Sequence, residues 1–263
     1  MNLKCIGAIT GDIVGSVYEF DNIKTKDFPL FSLESEYTDD SILTIATMEA
    51  LIMGGTASDF IASYQQYGKT HPSSYGFRFS DWIVSDEPRP YGSFGNGSAM
   101  RVSPVAWFYS TLAEVEEAAK ISASVTHNHP EGIKGAQATA AAIFMARSGS
   151  SKQEIKKYIQ NKYEYLLDFN LSEIRSSYDF DESCAGTVPP AIVAFLESIN
   201  FEDSIRNAIS IGGDSDTLAA ITGSIAEAFY DDGNELLSNG LSFLSEELAD
   251  TVIQFNNHLT MLR

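Results

Sequence analysis

The chain has 263 residues, 44% of them hydrophobic, enough to bury a full core in one large domain or two small ones. Acidic residues number 36 against 17 basic, a formal charge of −19, which excludes a broad phosphate-neutralising surface for nucleic acid but not a small anionic ligand whose charge bound cations balance. Cys5 and Cys184 give neither a disulfide framework nor a zinc spacing, and neither a signal-peptide pattern nor a bilayer-length apolar run is present, so no membrane association and a cytoplasmic location are expected.

Helical periodicity dominates. In chain order it predicts helices over 3–20, 40–53, 57–67, 98–108, 112–125, 131–147, 151–165, 188–198, 202–209, 217–230 and 244–257. Strand signals are sparse, so the expected fold is mostly α. No linker, repeat or low-complexity tract divides the chain. Residues 70–97, rich in Pro, Gly, Ser and aromatics, and the polar, acidic residues 168–187 read as long irregular stretches, which in a compact domain are often functional.

In the first predicted helix Gly7, Gly11 and Gly15 fall four apart on one face, and Glu19 continues the stripe. Gly132, Ala136 and Ala140 form a second small-residue stripe, and Ala219, Gly223 and Ala226 a third. Glycine inside a helix costs roughly 1 kcal/mol relative to alanine, so three in register need a reason. Close approach of two helices is one; a groove where a ligand lies on bare backbone is the other.

Two acidic clusters sit near opposite ends of the chain. Thr38-Asp39-Asp40-Ser41 opens the second predicted helix, with Thr38 as a good N-cap and the carboxylates in the first turn. Helix-dipole stabilisation alone accounts for such acids, yet adjacent carboxylates repel and one would suffice. Gly212-Gly213-Asp214-Ser215-Asp216-Thr217 places a tight glycine turn before a second Asp/Thr cluster that opens another helix. With Ala219 and Ile225 at its sixth and twelfth positions it fails the EF-hand pattern. The strand that should precede an aspartyl-phosphate phosphatase motif is also missing. Hard oxygen donors at this density suit Mg²⁺, Mn²⁺ or Ca²⁺ rather than zinc or copper, and four carboxylates are enough for a two-metal site.

Between the clusters, Tyr91-Gly92-Ser93-Phe94-Gly95-Asn96-Gly97-Ser98-Ala99-Met100-Arg101 is a special loop that enters a helix at Ser98. It is either a glycine-rich connector with a serine cap or a phosphate cradle. Thr126-His127-Asn128-His129-Pro130 precedes the alanine-rich helix; Asn128 or His129 is the expected cap, with Pro130 at the first helical position. No third soft donor makes the histidines a zinc site, and His127 is placed where it caps structure or touches a ligand.

Taken in order, Gly11-Asp12-x-x-Gly15 with Glu19-Phe20, Thr38-Asp39-Asp40-Ser41, Gly95-Asn96-Gly97-Ser98-Ala99-Met100-Arg101, Thr126-His127-x-His129-Pro130 and Gly213-Asp214-Ser215-Asp216-Thr217 span nearly the whole chain. In this the sequence resembles the ADP-ribosylglycohydrolases, including the dinitrogenase reductase-activating type. The resemblance implies a compact all-α fold, with residues 1–263 forming one ADP-ribosylglycohydrolase-like domain. It also implies two Mg²⁺ or Mn²⁺ ions held by Thr38, Asp39, Asp40, Asp214, Asp216 and Thr217, with Glu19 as the catalytic carboxylate. Gly95, Asn96, Gly97, Ser98 and His127 are the implied ADP-ribose contacts. The implied substrate is ADP-ribose joined to a protein side chain, a nucleobase or a small molecule. The alternative is a non-catalytic ADP-ribose or metal-binding protein on the same scaffold. Asp81 and Asp86 fall in the 70–97 stretch, but nothing selects either as a further catalytic acid.

Overall fold

The computed structural model describes residues 3–230 and 232–262. In chain order its helices are α1 (Gly7–Gly15), continued by a 3-10 turn at Ser16–Tyr18, α2 (Asp39–Met53), α3 (Ala57–Thr70), α4 (Phe77–Val84), α5 (Gly97–Met100), α6 (Ser103–Phe108) and α7 (Leu112–Ser124). There follow α8 (Pro130–Arg147), α9 (Lys152–Tyr163), α10 (Leu171–Ile174), α11 (Cys184–Glu197), α12 (Phe201–Ile209), α13 (Ser215–Phe229), α14 (Asn234–Leu241) and α15 (Glu246–Met261). The fold is all-α, and the only β-type pairing among the described residues is an antiparallel bridge between Gly95 and Ser183. No helix among the described residues is long and apolar enough to cross a membrane.

Helix starts follow local chemistry. Thr56, Thr111 and Ser151 each close a capping box with the acid three residues on. His129 caps α8 through its ring, accepting from the Glu131 amide at 3.1 Å, with Pro130 at the first helical position where no N–H is needed.

Helix α13 lies at the centre. It is buried continuously from Ser215 to Glu227, so it meets neighbours all round rather than along one stripe. Helix α1 packs along it. A Cβ built on Gly7 would fall 2.3 Å from the Gly223 carbonyl oxygen, one on Gly11 2.0 Å from that of Ala219, and one on Gly15 2.5 Å from the Asp216 Cα. The glycine stripe is therefore a helix–helix contact and not a groove. Its function is indirect: backbone-to-backbone packing sets Asp12 of α1 beside Asp216 of α13.

Three departures from the sequence expectation have local causes. The helix expected over 98–108 breaks after Met100, because Pro104 cannot donate to the Met100 carbonyl, which the Thr44 hydroxyl approaches instead at 3.4 Å. The helix expected from 188 begins at Cys184 and runs through Pro189 and Pro190. Pro190 leaves the Gly186 carbonyl without its intrahelical donor, and the Tyr178 hydroxyl supplies one at 3.0 Å. Within the stretch read as irregular, Phe77–Val84 forms α4, which buries Phe79, Trp82 and Ile83. Ile83 packs against Gly68 of α3, where a Cβ would stand 2.6 Å from its Cδ1.

Candidate active site

The site is built where the N-terminal ends of α2 and α13 meet α1. Gly212 and Gly213, at φ +68° and +80°, make the left-handed turn that delivers Asp214 as the residue before α13. Asn22 staples this turn to the chain after Glu19. Its Oδ1 accepts from the Gly213 amide at 2.6 Å, and its Nδ2 donates to the Glu19 and Gly213 carbonyls at 2.8 and 2.9 Å.

Asp12 organises the start of α2. Its carboxylate accepts from the Thr38 amide at 2.9 Å, the Thr38 hydroxyl at 2.7 Å, the Ser41 amide at 3.1 Å and the Ser41 hydroxyl. Thr38 in turn caps α2, its hydroxyl accepting from the Asp40 amide at 3.3 Å. Thr217 donates to Asp40 Oδ2 at 3.1 Å, joining the second cluster to the first.

The two clusters are thus brought face to face. One oxygen from each of Asp12, Asp40 and Asp216 lies within 4.8 Å of the other two, and one from each of Glu19, Asp214 and Asp216 does the same. Asp216 belongs to both triads. Asp40 Oδ1 is buried with no hydrogen-bond partner among the described residues.

Burial and mutual repulsion hold these groups toward their neutral forms. Asp40 and Asp216 are pushed well above the carboxylate range, first by burial and then by neighbouring carboxylates. Asp39 and Glu19 rise to about 7, each mainly through burial, with Asp12 and Asp214 respectively the leading repelling neighbours. Asp214 is raised by burial too. Asp12 rises to about 6, burial outweighing its hydrogen bonds. A set of oxygen donors this crowded is tolerable as carboxylates only with cationic charge among them. The unpartnered Asp40 oxygen and the all-oxygen donor set therefore fit hard divalent cations.

A cavity of about 340 Å³ opens from the acid cluster. Its wall includes Glu19, Asp39, Asp40, Asp214, Asp216 and Thr217 of the acid cluster, and Gly95, Asn96, Gly97 and His127. The Gly95–Gly97 loop is held by the irregular stretch before α11: the Asn96 amide donates to the Glu182 carbonyl at 2.7 Å and the Cys184 amide to the Phe94 carbonyl at 3.0 Å. Asn96 Nδ2 also donates to Asp214 Oδ2 at 2.7 Å, tying the loop to the acid cluster. The Gly95 amide donates to Ser93 Oγ at 3.1 Å.

Of the residues singled out from sequence, two lie outside the cavity wall. Ser98 turns its hydroxyl to the Gly132 carbonyl at 2.7 Å, and Thr38 spends its own on Asp12. Asp81 and Asp86 do not line the cavity, whereas Glu182 from the second irregular stretch does. Asp12 stood in the Gly11-Asp12-x-x-Gly15 motif with no role assigned to it, though it also places a charge in an apolar helix. That is itself a usable signal, since a carboxylate on a helix that is buried all round requires strong donors.

Comparison with known proteins follows the same span. A family model described as ADP-ribosylglycohydrolase matches residues 5–234. The human ADP-ribosylhydrolase ARH3 is 27% identical over 304 residues, covering 85% of this chain and 83% of its own. The mouse ARH3 is 26% identical over 302 residues, covering 85% and 82%. The ADP-ribosylarginine hydrolase Tri1 of Pseudomonas putida (strain GB-1) is 27% identical over 265 residues, covering 86% of this chain and 69% of the relative. Among solved structures, an ADP-ribosylglycohydrolase-related protein complex shares the fold, with a TM-score of 0.69 over 96% of both chains at 20% identity.

Proposed function

The chain belongs to the ADP-ribosylglycohydrolase family, and we propose on that basis that it hydrolyses the glycosidic bond between ADP-ribose and an acceptor with the help of two bound divalent cations, Mg²⁺ or Mn²⁺. The observation that carries the metal reading is the pair of carboxylate triads sharing Asp216, open to a cavity that the glycine loop also lines. We read residues 1–263 as one such domain.

In this reading Thr38, Asp39, Asp40, Asp214, Asp216 and Thr217 hold the cations, and Asp12 fixes Thr38 and the first turn of α2. When bound, the cations supply Lewis-acid polarisation and a more acidic water. Glu19 faces the cavity beside Asp214 and Asp216. It serves as general acid, general base or ribose-orienting group while the anomeric carbon gains oxocarbenium character. Asn96 orients Asp214 through the 2.7 Å bond. The Gly95 and Asn96 amides are already committed to Ser93 and Glu182, so the loop's contact with the ligand falls to Gly97 and the neighbouring His127. The volume of about 340 Å³ lies at the lower end of the range for small-molecule pockets.

The test is an acceptor panel of ADP-ribosylated arginine, serine, nucleobase and O-acetyl-ADP-ribose, assayed with Mg²⁺ or Mn²⁺ for wild type and Asp216→Asn. Release of ADP-ribose by the wild type and not by the variant supports the reading. Tight ADP-ribose binding with no turnover on any acceptor would show a binding protein instead.

A further inference from the structure

We infer that Arg101 is a positioning residue that, through Thr126, holds His127 as the neutral tautomer with its proton on Nε2, directed to the glycine loop in the cavity wall. Arg101 is fully buried and makes no ion pair among the described residues. Its guanidinium lies 4.2 Å from the ring centroid of Tyr64, and that ring is fixed by hydrogen bonds of its hydroxyl with Thr47 at 2.9 Å and Ser122 at 3.2 Å. Arg101 Nη2 donates to the Thr126 hydroxyl at 2.7 Å and more weakly to the Ser122 carbonyl at 3.4 Å.

The Thr126 hydroxyl is buried, and its two partners are Arg101 and His127 Nδ1, the latter at 2.7 Å. A hydroxyl has one proton to give and two lone pairs to receive. Guanidinium only donates, so it takes one lone pair. If His127 carried its proton on Nδ1 it would take the other, and the Thr126 proton would be left buried with no acceptor. If Nδ1 is bare, the Thr126 proton goes to it and every group is paired. Nε2 must then carry the ring proton. The doubly protonated ring is disfavoured by burial first and by the Arg101 charge second, both of which lower the His127 pKa well below its usual value.

Nε2 makes no protein hydrogen bond among the described residues, and a Cβ built on Gly97 would lie 3.3 Å from it. His127 thus presents a fixed N–H donor to the cavity, without a charge that titrates near neutrality. That purpose rests on reading the cavity as an ADP-ribose site, where this part of the wall meets an anionic oxygen. The tautomer itself does not depend on that reading.

The experiment is ¹⁵N–¹H correlation spectroscopy of the His127 ring in the ligand-free 263-residue chain, for wild type, Thr126→Val, Thr126→Ser and Arg101→Met. The wild type is expected to show a pyridine-type Nδ1 and a pyrrole-type Nε2, unchanged between about pH 5 and 8. Thr126→Ser keeps this pattern. Thr126→Val and Arg101→Met bring in the Nδ1–H form, and Arg101→Met also lets the ring titrate. Loss of one fixed donor should raise the Kd for ADP-ribose about tenfold in Thr126→Val. A wild-type ring protonated on Nδ1, or a Thr126→Val or Arg101→Met ring with the wild-type pattern, overturns the inference; the wild-type spectrum decides even if a variant does not fold. An Nε2–H signal that ADP-ribose does not move supports the relay and counts against the substrate reading alone.

Discussion

Gly11 lies against the carbonyl of Ala219 so closely that a methyl group in place of its hydrogen would fall 2.0 Å from that oxygen. Backbone faces backbone here, and no flexible side chain can move aside. Gly11→Ala should therefore separate α1 from α13, and the cost of about 1–3 kcal/mol or more outweighs the roughly 1 kcal/mol that alanine gains in helix propensity. Urea unfolding measures the loss, and metal titration should show weaker binding because Asp12 moves away from Asp216. Gly76→Ala, where nothing lies within 4 Å of the added methyl, should stay within about 0.5 kcal/mol of wild type. Equal stability in the two variants would contradict the packing account.

Asp216 joins both carboxylate triads, so Asp216→Asn should reduce turnover by more than the roughly 10–100-fold that follows loss of a ligand's supporting partner. It also removes one of several crowded carboxylates. The metal-free variant should consequently unfold at the same denaturant concentration as wild type or higher, while calorimetry shows weaker Mg²⁺ or Mn²⁺ binding. Full activity would remove Asp216 from the ligand set.

Stability should depend on pH with an unusual sign. Glu19, Asp39 and Glu227 rise from ordinary values of 4.5, 3.8 and 4.5 to about 7 in the fold, and Asp12 from 3.8 to about 6. Between those limits the folded chain binds more protons than the unfolded one, so metal-free stability falls as pH rises through about 4 to 7, and Asp40 and Asp216, raised further still, add to the fall in the same direction. Divalent cations bind the deprotonated fold and should reverse that slope. Thermal melting with EDTA and with Mg²⁺ across this range measures both. Glu227 accepts from the Gly7 amide at 2.8 Å at the far end of α13, so Glu227→Gln should flatten part of the metal-free slope without changing metal affinity. A metal-free protein that gains stability from pH 4 to 7 would refute the assignment.

Tyr178→Phe keeps the ring against Gly213 and removes the hydroxyl that satisfies the Gly186 carbonyl freed by Pro190. The expected loss is about 1 kcal/mol, read as a lower urea midpoint with unchanged slope. No loss would mean that water satisfies the carbonyl equally well.

Much of this architecture was legible in the sequence because the determining interactions are local or periodic. Thr38 caps α2 as its position suggested, and Gly212-Gly213 makes the expected tight turn into Asp214. The convergence of the two acid clusters was legible only by resemblance, since nothing in the spacing of Asp40 and Asp216 states that α2 and α13 begin at the same place. Tertiary context decided the remainder. The prolines of α11 hid its first turn, which survives because a tyrosine from the preceding segment replaces the missing donor. Helix α4 is short, and its pattern was masked by the glycine and proline on either side. The glycine stripe of α1 admitted two readings until its partner helix was known. Arg101 stood inside a recognisable motif, yet its relation to Thr126 and His127 depends on a distance that no local pattern encodes.

The Gly95–Ser183 bridge separates two kinds of support for the cavity wall. The acid-cluster carboxylates of Asp39, Asp40, Asp214 and Asp216 sit at the starts of helices α2 and α13, whereas Gly95, Asn96, Phe180 and Glu182 come from two irregular segments pinned to each other at and beside this pair. Insertions or exchanges in those segments, on the outer side of the pin, can reshape that part of the cavity wall while the acid cluster keeps its geometry. A single scaffold is thereby free to diversify its clientele by altering surface loops, without renegotiating the helix contacts on which its chemistry depends.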